Sequence, residues 1–106
     1  MSEFTLKTYQ FRTKEGIDIE KFLEKSRRLD EHLLAAEGFV YRSLSKVTNG
    51  DWLDCIYWSS PLAAKRAESL MQLDDILDFL NDIDGEGLQS TESDILSQVY
   101  PEMAEA

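Results

Sequence analysis

The chain has 106 residues, of which 42% are hydrophobic and 30% are charged, a composition that suits one globular domain with an ordinary core. Eleven Lys and Arg against 21 Asp and Glu give a formal net charge of -10, which argues against nucleic acid or an anionic membrane surface as a partner. The lone Cys55 excludes an intramolecular disulfide, and without a leader-like start or a long apolar run we expect a cytoplasmic protein.

The first predicted elements are a strand followed by an amphipathic helix. Residues 4 to 14 are rich in Thr, Tyr and Phe, residue types that favour a strand. Asp18 can cap the free backbone N–H groups at the start of the helix, and apolar side chains then recur at helical spacing. Gly38 readily adopts the left-handed conformation with which many helices end, so we expect a helix over residues 18 to 37.

The strongest local signal in the sequence is a β-hairpin. Residues 39 to 47 and 52 to 58 have the pattern of strands, and Asn49-Gly50 between them suits a two-residue type I′ turn. That turn pairs residues whose numbers sum to 99, and the pairing decides which side chains share a face. One face of the hairpin would then carry a mixed polar and aromatic set: Tyr41, Ser43, Ser45, Val47, Trp52, Asp54, Ile56 and Trp58.

The remaining chain predicts a second helix and a last strand. Ser60 can cap this helix, and Pro61 suits its first position because proline has no N–H to leave unpaired. The apolar stripe is interrupted near Leu73, and the sequence leaves open whether the helix breaks there. Residues 84 to 87 are expected to form a loop and residues 91 to 100 a strand.

These elements assign residues 1 to 100 to one domain and residues 101 to 106 to a frayed tail. Their order, βαββαβ, predicts an α+β, ferredoxin-like fold with an antiparallel four-stranded sheet. Right-handed crossovers place both helices on one face of that sheet. The other face would expose large apolar side chains, which soluble monomers seldom tolerate, so we expect a homodimer in which a second copy covers it.

Several features between the first strand and the second helix resemble a known family. They are the step Glu37-Gly38-Phe39 into the second strand, the ending Tyr57-Trp58-Ser59-Ser60 of the third strand, the small residues Ala63, Ala64 and Ala67, and the segment from Leu73 to Asp84. Together these features resemble the dimeric α+β barrel proteins of the antibiotic biosynthesis monooxygenase type. The resemblance implies that two sheets face each other as a barrel and that each subunit keeps a small pocket between its sheet and its helices.

The resemblance also implies a function, the binding and oxygenation of an aromatic or polyketide-like molecule without a cofactor or a metal. In such chemistry a base deprotonates an electron-rich ring, which then passes electrons directly to oxygen. The candidate catalytic bases are Asp54, a carboxylate among aromatic groups, and His32, the one histidine. The candidates for holding the substrate are aromatic: Trp58, Trp52, Tyr41 and Tyr9.

Each candidate also has a purely structural interpretation. Trp58 can be a large core side chain, and His32 can be an ordinary histidine at the edge of a buried helix face. Asp54 can be satisfied by neighbouring polar side chains: Ser45, Arg42 or Lys46. The rival function is therefore a non-catalytic binding or structural dimer.

Haem degradation is a weaker alternative. Haem-degrading relatives carry an asparagine near the position of Tyr9 and a histidine near the position of Glu68, and this chain has neither. A carboxylate is a poor substitute for an iron-ligating imidazole, and the acidic chain offers little positive charge for the propionates.

Two charged clusters are expected to be solvated helix faces. The basic cluster Lys25, Arg27 and Arg28 is interleaved with acidic residues. The acidic cluster Asp74, Asp78 and Asp82 recurs every four residues, as on one exposed side of a helix.

Overall fold

A computed structural model describes residues 4–101, which form a sheet with helices packed against it. Within this range the strands are β1 (Thr5–Thr13), β2 (Phe39–Lys46), β3 (Trp52–Trp58) and β4 (Ile83–Asp94). The helices of the same range are α1 (Ile19–Leu34), α2 (Pro61–Arg66), a 3₁₀ helix (Ala67–Gln72) and α3 (Asp74–Asn81). The strands pair antiparallel in the order β2-β3-β1-β4, which confirms the predicted ferredoxin-like α+β fold. The predicted frayed tail lies outside the described residues from residue 102 onward.

Helix α1 begins at the side-chain cap that the sequence predicts. The Asp18 carboxylate accepts hydrogen bonds from the backbone N–H groups of Glu20 at 3.0 Å and Lys21 at 3.3 Å. The helix buries an apolar stripe against the sheet. It ends at Leu34, so the predicted range of 18 to 37 is too long at its C-terminal end.

The turn after α1 packs closely on the start of α2. Gly38 has a φ of 84°, in the left-handed region, and a Cβ at this position would overlap the Cβ of Ala63. Helix α2 begins with a cap, because the Ser60 hydroxyl accepts a hydrogen bond from the N–H of Ala63 at 3.1 Å. Pro61 occupies the first turn, as predicted.

The second helical region is broken, which answers the question that its sequence leaves open. After Arg66 the chain tightens into the 3₁₀ helix, and Leu73 is extended, with a φ of -73° and a ψ of 139°. Helix α3 starts directly afterwards and buries Ile76 and Phe79 in the core. None of the helices between residues 4 and 101 has the length and hydrophobicity needed to cross a lipid bilayer.

The hairpin between β2 and β3 forms, but its predicted register is wrong by one residue. Tyr41 pairs with Tyr57 and Leu44 pairs with Asp54, so the paired numbers sum to 98. Because side chains alternate along a strand, this slip moves the β2 side chains to the other face relative to β3. The predicted mixed face therefore does not exist, because its β2 and β3 members lie on different faces of the sheet. One face has Tyr41, Ser43 and Ser45, and the other has Trp52, Asp54, Ile56 and Trp58.

The turn of the hairpin causes this difference. The N–H of Val47 donates to the carbonyl of Asp51 at 2.7 Å, and the N–H of Gly50 donates to the carbonyl of Val47 at 2.9 Å. Gly50 has a φ of 97°, whereas no residue other than glycine has a positive φ between residues 4 and 101. Asn49 therefore does not adopt the type I′ conformation, and a three-residue loop ending in a left-handed glycine replaces the predicted two-residue turn.

Strand β4 begins earlier than predicted. It spans Ile83–Asp94 and pairs with β1, whereas the prediction covered residues 91 to 100. Residues 84 to 87, predicted as a loop, belong to this strand. Their Asp and Gly residues have low strand propensity, and of the four only Asp84 has a paired residue on β1, so this part of the strand is irregular.

The helices cover one face of the sheet, as predicted. On this helix-covered face, alternate residues of β1 and β3 are buried: Thr5, Phe11, Trp52, Asp54, Ile56 and Trp58. The opposite side, which we call the open face, carries half-buried or exposed side chains: Leu6, Thr8, Gln10, Tyr41, Leu53, Cys55 and Tyr57.

Ion pairs join helices α1 and α3, a contact that the expectation of two separate solvated faces did not include. The Lys25 ammonium lies 2.9 Å from the Asp82 carboxylate and 3.3 Å from that of Asp78. Arg28 also approaches Asp78, at 3.8 Å. Lys25 and Arg28 therefore face Asp78 and Asp82 across the α1–α3 seam. Arg27 and Asp74 are exposed, as expected of solvated helix faces.

Candidate functional site

A cavity of about 360 Å³, here called the central cavity, lies between the helix-covered face and the helices. The sheet, α1, the 3₁₀ helix and α3 all contribute to its wall: Tyr9, Phe11, Leu29, Asp54, Ile56, Met71, Phe79, Leu80, Ile83, Gly85 and Leu88. Among these described lining residues, only Tyr9 and Asp54 carry a hydroxyl or a charged group. A molecule in the central cavity would therefore meet a mostly apolar wall with one phenol and one carboxylate.

Asp54 is a buried carboxylate held by a buried guanidinium. Arg42 donates from Nε to Oδ1 of Asp54 at 2.9 Å and from Nη2 to Oδ2 at 2.7 Å. The third nitrogen, Nη1, donates to the Asp30 carboxylate at 2.7 Å and to the Ser26 hydroxyl at 2.8 Å. The guanidinium carbon also lies 5.7 Å from the centre of the Phe79 ring. This bidentate geometry fixes the orientation of Asp54 in the cavity wall.

Tyr9 lies beside Asp54 on the neighbouring strand, because the two residues are paired between β1 and β3. Burial raises the pKa of the Tyr9 hydroxyl above its ordinary value. The positive charge of Lys7 opposes that rise, while the negative charge of Asp54 adds to it. The phenol is therefore protonated at neutral pH and can donate a hydrogen bond to a molecule in the cavity.

Trp58 lines a smaller cavity, of about 60 Å³, next to the central one. Its wall includes three residues that also line the central cavity: Tyr9, Ile56 and Met71. Lys7 and Glu68 supply charged groups to this smaller cavity. Trp58 therefore stands beside the central cavity, separated from Asp54 by the shared residues.

The other three predicted site residues lie elsewhere, and none lines either of these cavities within the described chain. Trp52 is a core residue whose ring centre lies 5.2 Å from that of Phe22. Tyr41 is 57% exposed on the open face. His32 lies on the α1–α3 seam, where its Nε2 is 2.9 Å from the Asp75 carboxylate.

Sequence reasoning missed most of the apolar wall. Met71, Phe79 and Leu80 follow helical spacing, which is equally typical of an ordinary core. Leu88 lies in a stretch with no strand signal. The sequence offers three partners for Asp54, and the corrected register excludes Ser45, because it brings Arg42 and Lys46 to the helix-covered face. Arg42 makes the contact, whereas Lys46 lies over the Trp52 ring.

The described residues contain no group of three or more His, Cys, Asp or Glu side chains arranged to hold a metal ion. The charged groups nearest the central cavity are instead engaged with each other. The chemistry that the wall offers is hydrogen bonding by Tyr9 and acceptance of a hydrogen bond or proton by Asp54.

No protein-family model matches the sequence, and a search of curated proteins found no relative. The fold, in contrast, is similar to several solved structures. A variant of SnoaB, a cofactor-independent oxygenase from Streptomyces nogalater, superimposes with a TM-score of 0.71 at 13% identity, covering 93% of this chain and 98% of that chain. A candidate antibiotic biosynthesis monooxygenase from Nitrosomonas europaea gives 0.69 at 12% identity, covering 95% of each chain.

A third solved structure is described as a dimeric ferredoxin-like protein from an uncultured marine organism. It superimposes with a TM-score of 0.68 at 14% identity over 92% of each chain. Structural similarity at such low sequence identity shows the fold and not the activity, because one fold hosts many activities. The chain therefore has the ferredoxin-like fold of SnoaB and of antibiotic biosynthesis monooxygenase-like proteins, which confirms at the level of fold the resemblance seen in its sequence.

Proposed function

We propose that the chain binds a small, largely apolar aromatic molecule in the central cavity. The observation that carries this proposal is the composition of the cavity wall, which is apolar except for the Tyr9 phenol and the Asp54 carboxylate. Ligand pockets are typically apolar with a few converging polar groups that set the orientation. A ring with an acidic C–H or O–H group near Asp54 and a carbonyl near Tyr9 satisfies both groups.

We further propose that the bound molecule is oxygenated without a cofactor, with Asp54 as the base. Asp54 removes a proton from an activated methylene carbon, and the Tyr9 hydroxyl stabilises the resulting enolate oxygen by a hydrogen bond. The electron-rich anion transfers electrons to O₂ and forms a peroxide on the same carbon. Return of the proton gives the hydroperoxide R₂CH–OOH. Removal of the second hydrogen from the same carbon as a proton forms the C=O bond while the O–O bond breaks, and the departing hydroxide takes up a proton to leave as water, so the balance is R₂CH₂ + O₂ → R₂CO + H₂O. Support comes from the fold shared with SnoaB, a cofactor-independent oxygenase.

A second candidate function is ligand binding without catalysis. The observation that favours it is the bidentate contact of Arg42, which engages both Asp54 oxygens. Both oxygens of this carboxylate already accept charge-assisted hydrogen bonds from one planar guanidinium, a geometry that holds the carboxylate in one orientation. In this alternative Asp54 orients the ligand, and Arg42 keeps the carboxylate in place.

Oxygen uptake with an anthrone-type compound such as 1,8-dihydroxyanthrone tests the proposed reaction. We expect metal-free, flavin-free protein to consume oxygen faster than the buffer blank. Asp54→Asn should lower the rate by about 10² to 10⁴-fold, the usual contribution of positioned proton transfer. His32→Ala is the matched control: His32 was the second candidate base from the sequence, yet it lies on the α1–α3 seam, so its rate should be unchanged.

The outcomes of this assay separate the two functions. Uptake that equals the blank, together with saturable binding of the anthrone, favours the non-catalytic function. A large loss of rate in His32→Ala with full activity in Asp54→Asn would contradict the assignment of the base. Tyr9→Phe removes only a hydroxyl and keeps the ring, so it serves as a second site variant if Asp54→Asn fails to fold.

We also propose that the chain forms a homodimer through its open face. Half-buried and exposed apolar side chains are grouped there: Leu6, Tyr41, Leu53 and Tyr57. The rings of Tyr41 and Tyr57 lie side by side, with centres 5.7 Å apart. One protein of the same fold is described as dimeric, which supports this arrangement.

A further inference from the structure

Strand β4 contains an irregular segment where it passes the central cavity. Gln89 pairs with Gln10 of β1, but the next pair along the strands joins Asp84 to Arg12. Within the described strands, the four residues 85 to 88 of β4 therefore correspond to the single residue Phe11 of β1, and none of the four has a paired residue. We call these four residues the β4 bulge. Because β4 is an edge strand, the bulge has a neighbouring strand on one side only in the described chain.

The β4 bulge lies between the central cavity and solvent. Gly85 and Leu88 line the central cavity, while Glu86 and Gly87 line a separate shallow cavity of about 130 Å³ on the outside of β1 and β4. Leu88 is 45% exposed. The deeper wall of the central cavity, by contrast, is almost fully buried: Phe11, Leu29, Asp54, Ile56 and Phe79. Leu88 is thus in contact with both the cavity and the solvent.

The backbone of the bulge is suited to local movement. Gly87 has a φ of 80°, which glycine adopts at little cost, and a Cβ at Gly85 or Gly87 would meet no atom within 4 Å. Local order comes from a short-range contact, since the N–H of Glu86 donates to the Asp84 carboxylate at 3.0 Å. A segment with open space around it and few ladder hydrogen bonds opens at lower free energy than the rest of the sheet.

We propose that the β4 bulge is the entrance to the central cavity and that the Leu88 side chain determines which molecules pass it. This inference rests on the proposed binding function. It adds the route by which a ligand reaches the central cavity and the residue, Leu88, that controls its passage. Molecules enter beside the bulge by displacing Leu88, which lines the cavity and is exposed to solvent. The size of residue 88 then sets the association rate more strongly than it sets the affinity.

Stopped-flow fluorescence with N-phenyl-1-naphthylamine, a neutral probe that brightens in apolar surroundings, tests this inference. Leu88→Ala should raise the association rate constant by about tenfold, within the one to three decades over which such rates vary among variants of one site. Leu88→Phe should lower it. The matched control is Leu62→Ala, because Leu62 is 55% exposed at the start of α2 and does not line the central cavity.

Each outcome has a distinct meaning. Probe binding with equal association rates in the wild type and both Leu88 variants would overturn the entrance while leaving the binding function intact. A similar rise in Leu62→Ala would show a general loosening of the fold and would also overturn it. Absence of probe binding to the wild type contradicts the proposed binding function, and the entrance with it. Because Leu88 is partly exposed, its truncation should leave the core intact.

Discussion

At the scale of single residues, the Asp54–Arg42 pair is the most consequential feature of the site. Both side chains are almost fully buried, at 5% and 4% exposure. Burial of two charges carries a large desolvation cost that only close, well-oriented contacts offset. The additional bonds from Arg42 to Asp30 and Ser26 complete that compensation. The pair therefore ties the cavity wall to α1.

Removal of one partner should be far more damaging than removal of both. Asp54→Asn leaves the buried Arg42 guanidinium without its main counter-charge, so we expect a loss of about 3 to 5 kcal/mol in the free energy of unfolding. The double variant Asp54→Leu/Arg42→Met should recover most of this loss, because it replaces two charges by apolar groups. Urea unfolding of the single and double variants measures both effects.

A loss below about 1 kcal/mol in Asp54→Asn would indicate a solvent-screened pair and would contradict the buried geometry. A double variant with the summed loss of both single variants would also count against the account, since residues in direct contact should not be additive.

Part of the residue-scale site was predictable from the sequence. Asp54 and Trp58 lie on one face because both belong to β3 at even spacing, which holds whatever the hairpin register. The predicted position of Tyr41, in contrast, depends on the pairing across the hairpin. The observed register differs by one residue, and Tyr41 therefore lies on the open face. His32 was placed correctly at the edge of a buried face, but helical periodicity gives no information on the partner, Asp75, from another helix.

Among the secondary-structure elements, the hairpin register and the start of β4 were predicted wrongly, and in both cases local sequence did not determine the outcome. Asn-Gly suits a two-residue turn, but glycine in the left-handed region also ends a three-residue loop, and local sequence does not separate the two. Likewise, β4 begins at residue 83 because Ile83 and Asp84 pair with Thr13 and Arg12 of β1, an effect that no local propensity contains. The helix starts were predictable, because caps at Asp18 and Ser60 act locally.

The α1–α3 seam contains a pH-sensitive contact. The hydrogen bond from His32 lowers the pKa of the Asp75 carboxyl below its ordinary value. A lowered pKa in the folded state means that the unfolded chain binds more protons, so the contribution of Asp75 to stability is present above about pH 4 and is lost as the pH falls below it.

Urea unfolding at a series of pH values tests the Asp75 contact. Asp75→Asn should show a shallower fall in unfolding free energy between about pH 5 and pH 2 than the wild type. Asp74→Asn is the matched control, because Asp74 occupies the same first turn of α3, and its profile should follow the wild type more closely. Identical profiles for Asp75→Asn and the wild type would show that the His32 contact does not form in solution.

At the scale of the whole molecule, the sheet separates two surfaces with different tasks. The helix-covered face encloses the central cavity, and the open face presents apolar side chains toward solvent in the isolated chain. Light scattering at micromolar concentration should therefore report twice the mass of the chain. Leu53→Lys, which places a charge on the open face, should yield a monomer, whereas Leu62→Lys on α2 should remain dimeric. A wild-type monomer would contradict the proposed pairing.

Methyl chemical shifts can show whether an apolar molecule binds between the sheet and the helices. In a titration with N-phenyl-1-naphthylamine, the methyl signals of the lining residues Ile56, Met71 and Ile83 should shift together and saturate at one molecule per chain. The methyl signals of Ile19, which is 37% exposed and does not line the central cavity, should stay in place. Unmoved signals from all three lining residues, with shifts confined to the open-face residues Leu6 and Leu53, would contradict binding in the central cavity.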